Sequence, residues 1–248
     1  MSRLADIRRF YGALEQLAGY LGRPRRLRDC DGRMGWPERG LYFFFESGEV
    51  RVDSGQGLRV VRVGTHALTA TSRTSLWTRL KQHQGHLTGA FSGGGNHRGS
   101  VFRLHVGAAI ARREGLDVAS WAKGSSASSL IRRAEHELEC LVSKHIRAMP
   151  FLWLDVTVGE DGGRVMRRHL EANSIALLSN MGRPGSKGAL DPPSADWLGN
   201  FCPNASVVRS GLWNVNHVAD NYDAGFLDVL ERQVTQVVAA HGSTVLAK

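Results

Sequence analysis

Apolar positions recur every three or four residues between 2 and 21 (Leu4, Ile7, Tyr11, Leu14, Leu17 and Leu21), while Arg8, Arg9 and Glu15 fall off that stripe. The spacing predicts an amphipathic helix over 2–21, ended by Gly22 and Pro24. From Gly40 the period shortens. GLYFFFE (40–46) and LRVVRVG (58–64) are aromatic and β-branched and predict two strands. SGEVRVDSGQG between them has the Gly, Ser and Asp of a hairpin connection, so the strands should pair antiparallel. Ser75–His83 predicts a helix with Leu76, Trp77 and Leu80 inward. GAFSGGGNHRGS (89–100) is too glycine-rich for regular structure and reads as a mobile loop. Helical spacing resumes at Val101, Leu104, Ala108 and Ala111, and again from Ser126 to Arg147 through Leu130, Ala134, Leu138, Leu141 and Val142. FLWLDVTV (151–158) predicts a third strand, EDGGR (160–164) a turn, and Arg164–Ser179 a helix. A Gly/Pro-rich linker (181–196) leads to a tryptophan-containing segment and a last amphipathic helix, Phe226–Val238, expected to pack on the body.

Composition narrows the class. The 248 residues are 42% hydrophobic and 22% charged, as in ordinary globular proteins. No apolar run is long enough for a membrane span. The start, MSRLADIRRF, has no apolar leader. Cys30, Cys140 and Cys202 lie far apart without a C-x-x-C pair, which argues against structural zinc or a disulfide framework and points to a reducing cytoplasm. Lysine and arginine number 32 against 23 acidic residues, a net charge of +9 that favours a polyanionic partner. Four of the arginines (Arg23, Arg25, Arg26 and Arg28) crowd the stretch after the first helix, which reads as a solvated basic linker slightly ahead of a dedicated phosphate contact.

Four short motifs sit in order on this layout. Gly40-Leu41-Tyr42 opens the first strand and Arg62-Val63-Gly64 ends the second; Trp77-Thr78-Arg79-Leu80-Lys81-Gln82-His83 lies on the first following helix and Leu170-Glu171-Ala172-Asn173-Ser174-Ile175 on the helix after the third strand. Together they resemble the GIY-YIG nuclease family over about residues 39–180. The resemblance implies an α/β fold: a small three-stranded mixed or antiparallel sheet flanked by helices. It divides the chain into an N-terminal helix and basic linker (1–38), a nuclease-like domain (39–182, with an insertion at about 115–149) and a C-terminal extension packing on the core (183–248). It further implies a metal-dependent endonuclease that hydrolyses phosphodiester bonds, in DNA before RNA, with Mg²⁺ or Mn²⁺.

Phosphodiester hydrolysis needs an attacking water, charge stabilisation on the phosphoryl oxygens and help for the leaving oxygen. Glu171 matches the family's metal-binding glutamate, and Mg²⁺ often takes only one or two carboxylates while keeping several waters. Glu135, Glu137 and Glu139 are rivals, but the family's glutamate follows the third strand, as Glu171 alone does. The other three read as a solvated helix face. Arg79 matches the family's arginine, whose fork of donors suits a phosphate. Tyr42 matches the motif tyrosine, a general base or water-positioning group; a free phenol titrates near ~10, so that role needs assistance. His97, after the glycine-rich loop, matches a histidine near the scissile phosphate. His83, one turn beyond Arg79, shares its face. Asn180 matches an asparagine that closes the family domain and is grouped with Arg62 and Gly64 as substrate contacts.

One departure matters: the second motif reads RVG, with Arg62 in the place of a tyrosine. Strand alternation sets Arg62 and Gly64 on one face and Val61 and Val63 on the other. The glycine is read as allowing the backbone to approach substrate. An arginine cannot accept a proton, so the alternative is a catalytically inactive GIY-YIG-derived nucleic-acid-binding module. In SGLWNVNHV (210–218), Trp213, Asn214, Asn216 and His217, with Trp197 upstream, suit stacking on and hydrogen bonding to bases, or a structural turn whose tryptophan plugs the core, the second reading being favoured.

Overall fold

A computed structural model of the chain describes residues 2–69, 71–157, 163–181 and 189–245. Ser2 caps helix α1 (Arg3–Leu21) by accepting from the Ala5 amide, and Gly22 at φ +83° ends it. Then come β1 (Arg25–Arg26), β2 (Gly40–Val50), β3 (Leu58–Gly64), α2 (Leu76–Gln84), α3 (Val101–Glu114), α4 (Ser129–Ala134), α5 (His136–Ala148), β4 (Pro150–Asp155), α6 (Arg164–Leu178), α7 (Ala205–Ser210) and α8 (Phe226–Val245). The four strands form one antiparallel sheet in the order β1-β4-β2-β3. No described helix is long and apolar enough to cross a membrane. Most of the turn expected at 160–164 and the linker at 182–188 lie outside the described residues.

Alternation along β2 divides the core. Leu41, Phe43 and Phe45 join α1, α6 and α8 on one face of the sheet, whereas Tyr42 and Phe44 join α2, α3, α5 and α7 on the other. The architecture is therefore a sheet between two helical layers. A bulge modifies the pattern on β3. Phe44 faces Arg62 but Phe45 faces Val60, so Val61 is the extra residue and joins the Tyr42 face, contrary to simple alternation.

Several sequence expectations change. The sheet has a fourth strand because Arg25 and Arg26 of the expected linker pair with Phe151 and Pro150. The stripe on α3 is shifted: Phe102, Val106, Ala109 and Ile110 are buried, while Val101 is 45% exposed. The single helix expected over 126–147 is two, capped separately at Ser128 and broken at Glu135, with Leu130 in solvent. Trp77 is half-buried rather than internal.

The glycine-rich loop is packed, not mobile. Buried Arg103 of α3 pairs with Glu139 of α5 and donates to the Ser143 hydroxyl (2.9 Å) and the His83 carbonyl (2.9 Å). Its guanidinium lies against Gly95, where a Cβ would stand 2.3 Å from Cζ. Arg98 meets Glu135 through two bonds of 2.6 and 2.8 Å. Glu135 and Glu139 are thus internal counter-ions, and only Glu137 is the solvated residue expected of all three.

The segment after the linker covers the free edge of β3. The Trp213 amide donates to the Val61 carbonyl (2.7 Å), and the Asn214 side chain takes the Val63 amide (3.1 Å) and returns a bond to its carbonyl (2.9 Å). Trp213 is fully buried, and it and Trp197 both donate indole N–H to Glu46. Burial works to raise the Glu46 carboxyl, but His145 at 3.0 Å and the two indoles outweigh it and hold it below the usual range.

Candidate active site

Tyr42 stands near the start of β2 with its ring buried toward α2 and its register partner Gly64 across the strand pair. The ring covers Gly64 so closely that a Cβ there would be 2.4 Å from both Cζ and the phenolic oxygen. The close approach that the motif glycine permits is therefore to the tyrosine itself.

The Tyr42 hydroxyl lies 2.9 Å from His83 Nε2, and His83 Nδ1 lies 2.8 Å from the Ser100 hydroxyl, which also caps α3 by accepting from the Arg103 amide (3.2 Å). Burial, with Arg79, Arg62 and Arg103 nearby, pushes the His83 imidazole well below its ordinary range and keeps it neutral. A neutral imidazole has one donor and one acceptor. In one tautomer Tyr42 donates to His83, which donates to Ser100; in the other both directions reverse.

Arg62 is buried on the same face. It donates to the Trp213 carbonyl (2.6 Å), lies 5.3 Å over the Phe102 ring and leaves a buried Nε without a hydrogen-bond partner. Burial lowers its pKa, with Arg79 acting in the same direction and the Glu171 carboxylate opposing. Arg79, one turn before His83, is fixed by bonds to Gln82 (2.8 Å) and the Gly99 carbonyl (3.1 Å).

Glu171 reaches the site from the opposite layer. Its Oε1 accepts from the Thr65 amide just beyond β3 (3.1 Å). Burial pushes the carboxyl above the usual range, against the pull of Arg62, the Thr65 amide, His217 and Arg79. A carboxylate so desolvated, with one amide donor among the described residues, suits a hard cation that brings its own waters. No group of three or more His, Cys, Asp and Glu capable of holding a metal occurs among the described residues.

Two expected residues have other partners. His97 is 3% exposed, with Nδ1 3.0 Å from Glu139 and the ring stacked on Trp121 at a centroid distance of 3.9 Å. Its described contacts are with the α5 network and not with Tyr42, Arg79 or Glu171. Asn180 exchanges bonds with Leu190 (3.1 and 3.0 Å) and accepts from Arg3 (3.2 Å), so its side chain ties the returning linker to α1.

His217, expected to lie in a structural turn or against a base, stands instead among the charges around Glu171. It sits at φ +62° with Nδ1 2.7 Å from Asp220, on a stretch pinned to β3 through Asn214 and to α6 by the bond from the Asp223 amide to Asn173 (2.7 Å). The stretch bridges the two elements that present Thr65 and Glu171. A strained non-glycine backbone next to a carboxylate is the physical signal, and it is visible only in three dimensions.

No curated protein and no solved structure matches the chain. A family model described as a GIY-YIG domain matches residues 1–240, reaching from α1 into α8 and well beyond the four motifs. The chain belongs to the GIY-YIG family.

Proposed function

We propose that the protein is a metal-dependent endonuclease that hydrolyses phosphodiester bonds in DNA. The observation that carries this reading is the convergence of the Tyr42–His83 pair, Arg62, Arg79 and Glu171 at one end of β3. Glu171 would hold Mg²⁺ or Mn²⁺, which supplies positive charge to the phosphoryl oxygens. The Tyr42 hydroxyl orients the attacking water, and the neutral His83 fixes the direction of the phenol's own hydrogen bond. Arg79 offers guanidinium donors to the phosphate. Arg62 adds fixed charge, held in place by the Trp213 carbonyl. The described cysteines are free thiols, in keeping with a cytoplasmic setting.

A DNA nicking assay with Mg²⁺ or Mn²⁺ tests the reading. The protein should cleave, and Glu171→Ala should lose at least about 10³-fold in rate, as removal of several kcal/mol of transition-state charge stabilisation requires. Intact DNA of every form with either ion would sink it. A second reading, a binding module that no longer cuts, draws on Arg62 standing where a tyrosine is expected and being bonded into the fold. Equal DNA binding by the parent and Glu171→Ala, with cleavage by neither, would favour that reading.

A further inference from the structure

The arginine-rich stretch before β2 is a built surface. Residues 23–36 carry five arginines against Asp29 and Asp31. Gln84 of α2 holds the turn in this stretch by donating to the Leu27 carbonyl (2.6 Å) and the Cys30 carbonyl (3.0 Å). Trp36 donates to the Asp31 carbonyl (2.7 Å). Trp36 stacks on Trp77 of α2 (5.2 Å, 13°) and touches Trp153 of β4 (4.9 Å), and the Arg25 guanidinium lies 5.3 Å over Trp153.

These three indoles are each half-buried, whereas Trp197 and Trp213 are almost fully buried. Core packing therefore does not account for all of their surface. Arg28 and Arg33 project from the same stretch into solvent, and Lys81 is exposed one helical turn beyond Trp77. The other side of α2 carries Arg79 and His83, so one helix joins this face to the candidate active site.

We propose that this face binds a single-stranded stretch of polynucleotide continuous with the strand at Glu171, its phosphates on Arg28, Arg33 and Lys81 and a base against the Trp36–Trp77 stack. Partly exposed aromatic rings interleaved with arginines fit a flexible polyanion with exposed base faces, because stacking and backbone charge are satisfied together. The assignment rests on the nucleic-acid reading of the site, but it does not need cleavage.

The test is fluorescence anisotropy with labelled single-stranded and duplex oligonucleotides in EDTA, across a salt series. Arg28→Glu/Arg33→Glu alters two exposed side chains and spares the core; Arg112→Glu/Arg232→Glu, on α3 and α8, makes the same change in net charge elsewhere. The first variant should bind single strands at least about tenfold more weakly than the control. Its slope of log affinity against log salt should be smaller by about 1.4, from two lost phosphate contacts. Trp77→Phe should reduce the quenching of intrinsic emission by the single strand. Identical behaviour of the two double variants, in a parent that does bind DNA, would overturn the surface and leave the nuclease reading standing. A parent that binds no oligonucleotide at low salt would overturn both.

Discussion

At the scale of single residues, the site depends on a glycine more than its chemistry suggests. Gly64 has no φ requirement; it is needed because Tyr42 lies where a Cβ would project. Gly64→Ala must displace the ring or bend β3, and overpacking of this kind costs about 1–3 kcal/mol. Urea unfolding should show a lower midpoint at unchanged slope, and an unaltered midpoint would contradict the packing. The same displacement would break the Tyr42–His83 contact at 2.9 Å, so the variant should be both less stable and less active. Arg62 is positioned in a comparable way: its hydrogen bond goes to Trp213, a residue more than a hundred positions away, so its orientation is set by the C-terminal part of the chain.

At the scale of elements, the join between α3 and α5 is ionic. Arg103 and Glu139 are both buried, and Glu139 also accepts from the His97 amide (2.6 Å). Glu139→Ala leaves a guanidinium buried without its counter-ion, which costs about 3–5 kcal/mol. Thermal melts should register that loss; a change under about 1 kcal/mol would mean that water reaches Arg103. These pairs also mark how far sequence reading goes. Helices α1 and α6 were legible because apolar stripes at helical spacing need no partner to be recognised. The place of Glu171 on the helix after β4 was legible because the order of elements follows from local pattern alone. The burial of Glu135 and Glu139 was not, because their partners Arg98 and Arg103 lie 36 or 37 residues upstream and only folding brings them together. The stripe on α3 misled because buried Arg103 and His105 share its inner face. Strand β1 carries two arginines and no hydrophobic signal; the free edge of β4 creates it. His97 was drawn toward the site by its place after the loop, whereas Glu139 and Trp121, both from the expected insertion, hold it.

At the scale of the whole molecule, residues outside the motif-bearing segment complete its packing. The edge of β3 is covered by residues 213–214, and α8 packs against α1, where Arg9 meets Asp228 (2.7 Å) and Glu231 (2.8 Å). This arrangement lies within the residues that the family model matches, which extend to 240. It also encloses several histidines, which makes the fold acid-sensitive in a defined window. Burial, reinforced by nearby arginines, lowers His66 and His105 to about 4 and holds His83 well below its ordinary range. Between pH 6.5 and 4 the unfolded chain binds protons at these positions and the native chain does not, so stability must fall as pH falls through that range. Each histidine contributes a slope of up to about 1.4 kcal/mol per pH unit. Glu46, Glu135, Glu139 and Asp191 have lowered carboxyl values, so their contribution is lost only further into acid. The melting temperature should therefore decline steadily from pH 6.5 to 5, before those carboxylates titrate. His105→Gln should flatten the decline by about a third if the three positions contribute equally in that interval, and a melting temperature constant from pH 7.5 to 5 would mean that the imidazoles are protonated in the folded chain.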